Sequence, residues 1–173
     1  MLLLTDNGVQ ATPMSAIAKA ADTGMGTIYN YFATKEELIN AIYLYIKQQE
    51  MDALRQPSGE ESIKRQFDHF YRTLIHYFLE HPLHFRFMDQ FHNSPILTVE
   101  TKKEGLKTLD VFSTLIAKGQ QQGIIKTIGF DELLYFINGG LMGFIRWILS
   151  GAQEMNKDLL DNQLRIAWDA IKL

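Results

Sequence analysis

The sequence contains no cysteine, which excludes disulfide scaffolds, cysteine-based zinc sites and thiol nucleophiles. Only four of its 173 residues are proline, and runs that alternate polar and apolar residues like a half-buried strand are few. It also lacks an excess of basic charge: 17 Lys and Arg stand against 20 Asp and Glu, a net charge of -3. A nucleic acid cannot then be held by a broad basic surface, and any such contact must be local. No N-terminal segment pairs a basic region with a long apolar stretch, because Met1–Leu4 runs straight into Thr5-Asp6-Asn7-Gly8. No secretory signal is expected, and the expected location is cytoplasmic.

What is present is ordinary for a globular chain: 46% hydrophobic and 21% charged residues, enough to bury a core. Apolar residues recur at three- and four-residue intervals through nearly the whole length, which predicts an all-α fold. Residues 1–6 read as the tail of a first helix, stopped by Asn7-Gly8, both of which tolerate a left-handed backbone. Thr12-Pro13 predicts a helix start with a hydroxyl at the N-cap, and that helix reaches about Ala21. Thr34-Lys35-Glu36-Glu37 is a capping box opening a long helix from Lys35 to about Arg55, ended by Gln56-Pro57-Ser58-Gly59. From about Glu60 the stripe Ile63, Phe67, Phe70, Leu74 and Phe78 predicts an amphipathic helix reaching His81-Pro82. A short helix over Leu83–Phe91 follows, then a longer one carrying Leu106, Leu109, Phe112 and Ile116 as far as Gln122-Gly123. Asp131 opens a penultimate helix to about Ser150-Gly151, and the last runs from about Asn156 with Leu160, Leu164, Ala167, Trp168 and Ile171 on one side.

The stretch Thr12–Leu38, TPMSAIAKAADTGMGTIYNYFATKEEL, reads as two short helices joined by a tight turn and followed by a capped third. Ile17, Ala18 and Ala21 allow the first helix to pack closely across the second, which would present its N-terminal residues to base edges in a major groove. Gly26-Thr27-Ile28-Tyr29-Asn30-Tyr31-Phe32 and Lys35-Glu36-Glu37-Leu38 resemble the TetR family of transcriptional regulators almost letter for letter, over about 30 residues with fixed spacing. The rest of the chain resembles that family in helix order and length. The resemblance implies a helix-turn-helix DNA-binding domain over 1–45, with an incomplete first helix, and a helical-bundle ligand-binding and dimerisation domain over 46–173. Either the natural chain begins earlier or this head is short by part of that helix.

Carried over position by position, the resemblance implies DNA contacts at Thr12, Met25, Gly26, Thr27, Tyr29, Tyr31 and Lys35, with hydroxyls and the lysine meeting phosphates. Packing beneath Phe32 is the other reading for one of the two tyrosines, and Ile28 and Phe32 are assigned to the core. For Lys35 the other reading is a solvated helix-start lysine. Three departures from the family pattern stand out: Asp22 at a turn position usually held by glycine, Gly24 in place of an N-cap serine, and Met25 where lysine is frequent. Over residues 1–47 three lysines face four carboxylates, a net charge of -1.

The body is rich in aromatic residues. Phe67, Phe70, Tyr71, Leu74, Phe87, Phe91, Phe112 and Ile116 either form a plain core or line a pocket for an apolar or aromatic effector, with Tyr71, Arg86, Asp89 and His92 as its polar groups. His69, His76, His81, His84 and His92 lack a ligand constellation, so no metal and no other cofactor is expected. No catalytic arrangement stands out, so no enzyme is expected either. Leu133–Leu149 is nearly all apolar, but Asn138 and Arg146 interrupt it and it is short for a bilayer, so no membrane span is expected. A helix apolar on all sides must bury a second face in a partner, which predicts a homodimer seam at Phe144, Trp147, Ile148, Leu164 and Trp168, with Gly139, Gly140 and Gly143 permitting close approach. The function implied is a repressor that binds a near-palindromic operator in double-stranded DNA and is released by a small-molecule effector. The alternative is a ligand-binding helical dimer with weak or lost DNA binding.

Overall fold

A computed structural model describes residues 1–54 and 62–173. The expected helix end at Arg55, the break at Gln56-Pro57-Ser58-Gly59 and the helix start at Glu60 lie outside the described residues. Those residues form α1 (Leu2–Asn7), α2 (Met14–Ala20), α3 (Met25–Tyr31), α4 (Lys35–Ala53), α5 (Ile63–Glu80), α6 (Pro82–Phe91), α7 (Val99–Leu106), α8 (Asp110–Gln121), α9 (Phe130–Leu149) and α10 (Lys157–Ile171). Among them no strand occurs, only an antiparallel bridge between Ile125 and Lys172. They divide into two compact units, Met1–Gln49 with His81–Lys107, and Glu50–Glu80 with Thr108–Leu173.

In the first unit the helix boundaries follow local chemistry. Gly8 ends α1 at a φ of 79°, where a side chain would be strained. Asp22 takes the left-handed φ of 49° between α2 and α3, a backbone that aspartate tolerates better than most residues. The Thr34 hydroxyl accepts the Glu37 N–H (3.1 Å) and the Glu37 carboxylate accepts the Ala33 N–H (2.8 Å), so the capping box forms. The Thr12-Pro13 start differs from expectation. Pro13 itself is the N-cap of α2, and the Thr12 hydroxyl turns away to the carbonyls of Gly8 (2.8 Å) and Leu3 (3.0 Å). Met14, Ala18, Ile28 and Leu38 form the core of the helix-turn-helix, with Ile17, Phe32 and Ile42 packed against it. Asn40, buried on α4, organises the loop before α7: its amide donates to Ile96 O (2.9 Å) and its carbonyl accepts the Thr98 N–H (3.0 Å).

In the second unit α5 packs against α8, α9 and α10. The predicted stripe of α5 and the predicted inner face of α10 are both buried. The expected long helix through Leu106 and Leu109 is broken: α7 stops at Leu106, Lys107–Leu109 tighten into a 3-10 turn, and α8 starts afresh at Asp110. Gly105 explains part of this. It presses so close to Tyr43 that an added Cβ would lie 2.6 Å from the ring, and glycine is a poor helix former. The C-terminus is pinned by its backbone, with the Lys126 N–H donating to Ile171 O and the Leu173 N–H to Ile124 O, both at 2.9 Å.

Candidate functional site

The α2–turn–α3 segment positions a short, outward-facing helix. The Thr23 N–H donates to Ala18 O (3.0 Å) and the Ala21 N–H to Ile17 O (3.0 Å), which holds the turn tight. Ile28 is buried beneath α3, and Phe32 packs beside it. The remaining side of α3 is open: Met25, Gly26, Thr27, Tyr29 and Tyr31 are all exposed, Tyr29 by 47% and Tyr31 by 77%. Neither tyrosine is packed away in the core, so both hydroxyls are free to meet a partner. An open hollow of about 450 Å³ between α2 and α3 is lined by Ser15, Lys19, Asp22, Thr23 and Met25, among others.

Gly26 is informative because nothing lies within 4 Å of the position its Cβ would occupy. Packing inside the unit therefore gives no reason for a glycine in the first turn of α3, a residue type that costs about 0.5–1 kcal/mol relative to alanine inside a helix. A surface that must approach the backbone from outside does give one. Asn30 is exposed as well and shares a helical face with Gly26 and Thr27 by its spacing. Sequence reasoning passed over Asn30, although an amide at this spacing is able to pair with the major-groove edge of adenine.

Lys35 and Thr12 behave differently from the α3 residues. The Lys35 ammonium donates to the Val9 carbonyl at 2.6 Å, leaving further donors for an anion. Thr12 is 1% exposed and spends its hydroxyl on α1 and its flank. Its side chain serves as an internal tie.

The residues expected around an effector are buried, and they fall in different units. Phe67, Phe70, Tyr71, Leu74, Phe112 and Ile116 belong to the second. There Phe70 stacks on Phe112 with centroids 4.3 Å apart, and Phe67 lies against Trp168 at 5.5 Å. Phe87 and Phe91 belong to the first unit and face each other at 4.6 Å. Of the polar groups, Tyr71 accepts a hydrogen bond from Gln163 Nε2 at 3.0 Å, and burial pushes its phenol up to about 12. Arg86 is exposed and ion-paired with Asp6. His92 lies against Tyr43, and burial, then the charges of Lys47 and Lys102, hold its pKa below the usual histidine value.

The dimer residues also divide. Phe144, Leu164 and Trp168 are buried within the second unit itself. Ile148 is half-buried and Trp147 is exposed. The most exposed apolar side chains of α9 and α10 are Tyr135 (71% exposed), Phe136 (63%) and Ile166 (62%). Because α9 is apolar nearly all round, the sequence did not mark which side the chain keeps for itself.

Among the described residues no group of three or more His, Asp or Glu side chains is placed to hold a metal. His81 and His84 stack ring on ring at 5.1 Å instead. No helix among them is long and apolar enough to cross a membrane.

Comparison with known proteins agrees with this geometry. Residues 1–42 match the family described as bacterial regulatory proteins, tetR family, and residues 43–173 match the tetracyclin repressor-like C-terminal domain. A curated Bacillus subtilis protein, the uncharacterized HTH-type transcriptional regulator YhgD, is 40% identical over 57 residues, covering 31% of this chain and 30% of that protein. A tetR family transcription regulator from Shewanella superposes with a TM-score of 0.91 at 19% identity, over 99% of this chain and 93% of the other. Another from Marinobacter aquaeolei gives 0.89 at 27% identity, over 99% and 90%.

Proposed function

Because the chain belongs to the TetR family of transcription regulators, we propose that it is a homodimeric repressor that binds a near-palindromic operator through α3 and leaves it when a small apolar or aromatic effector binds the body. The observation that carries the DNA-binding part is the bare outward face of α3, with Gly26 unhindered and Thr27, Tyr29, Asn30 and Tyr31 exposed around it. Hydroxyls at Thr27, Tyr29 and Tyr31 would meet phosphates, and Asn30 a base edge. Met25 would offer an apolar contact suited to a thymine methyl. Two such helices on a two-fold axis would lie about 34–36 Å apart to read successive turns of one groove face.

The DNA-binding domain in this reading is 1–45, and 46–173 carries effector binding and dimerisation. The effector reading is supported by the aromatic wealth of the second unit. Since Phe67, Phe70 and Phe112 lie ring against ring, an effector would have to displace them. Release from DNA then requires that the rearranged packing favour the DNA-incompetent state.

The test is binding to operators selected from a random duplex library, across a range of salt. The expected outcome is a steep fall of affinity with salt, reflecting phosphate contacts, and a drop of about tenfold or more for Tyr31→Phe. The net negative charge of residues 1–47 and the methionine at position 25 favour a second reading, a ligand-binding helical dimer without useful DNA affinity. No selectable operator and no salt dependence would establish it in place of the first.

A further inference from the structure

Helix α3, MGTIYNY, carries no charged side chain. The base edges of a major groove discriminate by the kind of partner they accept. Guanine is held by arginine or lysine and cytosine by a carboxylate, whereas adenine takes the amide of asparagine or glutamine and the thymine methyl takes an apolar side chain. The selective partners of a G·C pair are therefore missing from α3, while those of an A·T pair, Asn30 and Met25, are present and exposed. The Asn30 side-chain amide makes no hydrogen bond among the described residues, so its donors and its acceptor are all available to a base.

Reach decides whether that amide is of use. Asparagine carries its amide on a single methylene, so the helix must come close to the bases before the amide can pair with one. Gly26 lies one turn before Asn30 on the same face of α3, and a Cβ added to its helical backbone would meet nothing within 4 Å. The glycine thus removes the side chain that would hold this turn of α3 away from the groove floor. We propose that α3 reads A·T pairs in each operator half-site, with Gly26 setting the depth at which the helix lies, Asn30 pairing bidentately with N6 and N7 of an adenine, and Met25 resting against a thymine methyl. Thr27, Tyr29 and Tyr31 then hold the helix to the phosphates without choosing bases. The inference rests on the DNA-binding reading above and adds the base pairs selected and the residue that sets the depth.

Operators selected by the full chain from a random duplex library supply the probe. Replacing each adenine of a half-site in turn by 7-deazaadenine removes only the N7 acceptor. At one adenine per half-site this is expected to cost the parent about fivefold or more in affinity and to cost Asn30→Ala nothing further. That variant should also bind all four base pairs at this position alike. Uracil in place of a thymine removes only the methyl, and the resulting loss should vanish in Met25→Ala. Gly26→Ala separates depth from folding. Its unfolding temperature should equal or exceed the parent's, because alanine is the better helix former, while its operator affinity should fall about tenfold or more as the bidentate pairs are lost. A half-site sensitive to 7-deazaguanine and to no 7-deazaadenine would overturn the base assignment, and so would an adenine loss that persists in Asn30→Ala. A uracil loss that persists in Met25→Ala would remove Met25 from it. Undiminished operator affinity of Gly26→Ala, or a lowered unfolding temperature, would overturn the role of Gly26. No operator selected, with no salt-dependent binding, would instead sink the DNA-binding reading itself.

Discussion

The ammonium of Lys35 reaches back 26 residues to the carbonyl of Val9 at 2.6 Å. It thereby ties the start of α4 to the connection between α1 and α2, on either side of the helix-turn-helix. One side chain thus serves both the frame of the head and, in the proposed complex, a phosphate. Lys35→Met is expected to lower stability by about 1 kcal/mol, the order of one partly exposed charge-assisted hydrogen bond. It should also reduce the salt slope of operator binding by about 1 for each phosphate that is no longer neutralised. Urea unfolding and salt-dependent titration read the two effects separately. A stability loss with an unchanged salt slope would leave Lys35 purely structural.

Phe112 separates a filled core from a preformed pocket. It is fully buried and lies between Phe70 at 4.3 Å and Phe67 and Phe130 at 6.3 Å. Truncating a phenylalanine that fills its space costs about 3–5 kcal/mol, whereas one that lines an existing void leaves fewer neighbours stranded. Phe112→Ala is expected to fall in the upper range by urea unfolding. A loss under about 2 kcal/mol would mean that the ring already borders open space.

What could be read from the sequence followed from how local each signal is. The α5 stripe from Ile63 to Phe78 and the face of α10 were legible because a period of three to four residues declares one buried side. The α3 motif was legible because Ile28 and Phe32 alternate with residues that have no reason to be buried. The break at Lys107–Leu109 was hidden, since apolar residues at 106, 109, 112 and 116 keep helical spacing across it. The contact that presses Gly105 onto Tyr43 involves residues far apart in sequence. The inward side of Phe144 and Trp168 was hidden for the opposite reason: an all-round apolar helix offers no polar face to mark the outside. Phe87 and Phe91 looked continuous with the α5 aromatics along the chain, yet they belong to the unit that holds the helix-turn-helix.

Thr12 shows how a cap signal can carry a tertiary role. Its buried hydroxyl is shared by the carbonyls of Gly8 and Leu3, closing the loop between α1 and α2. Thr12→Val keeps the shape and removes the donor, so it should cost about 1–3 kcal/mol through the lost hydrogen bonds to Gly8 O and Leu3 O. Thr12→Ser should retain most of the stability. Equal stability of the valine variant and the parent in thermal unfolding would show that water replaces the hydroxyl.

Two histidines of the first unit make its stability depend on acidity in a defined direction. His92 is held below the ordinary value of 6.5 by burial and by Lys47 and Lys102, and His84 by burial and by His81. Both are therefore easier to protonate in the unfolded chain than in the folded one. Where the unfolded state binds more protons, stability rises with pH. The stabilisation is complete above pH 6.5 and is lost as the pH falls from there toward the depressed folded values. Each histidine contributes at most about a tenfold change in the folding equilibrium per pH unit. His92→Phe preserves an aromatic ring against Tyr43 and removes one of the two titrations, so its urea midpoint should vary less than the parent's between pH 7 and 5. Identical slopes for the two proteins would show that His92 is not depressed by its surroundings.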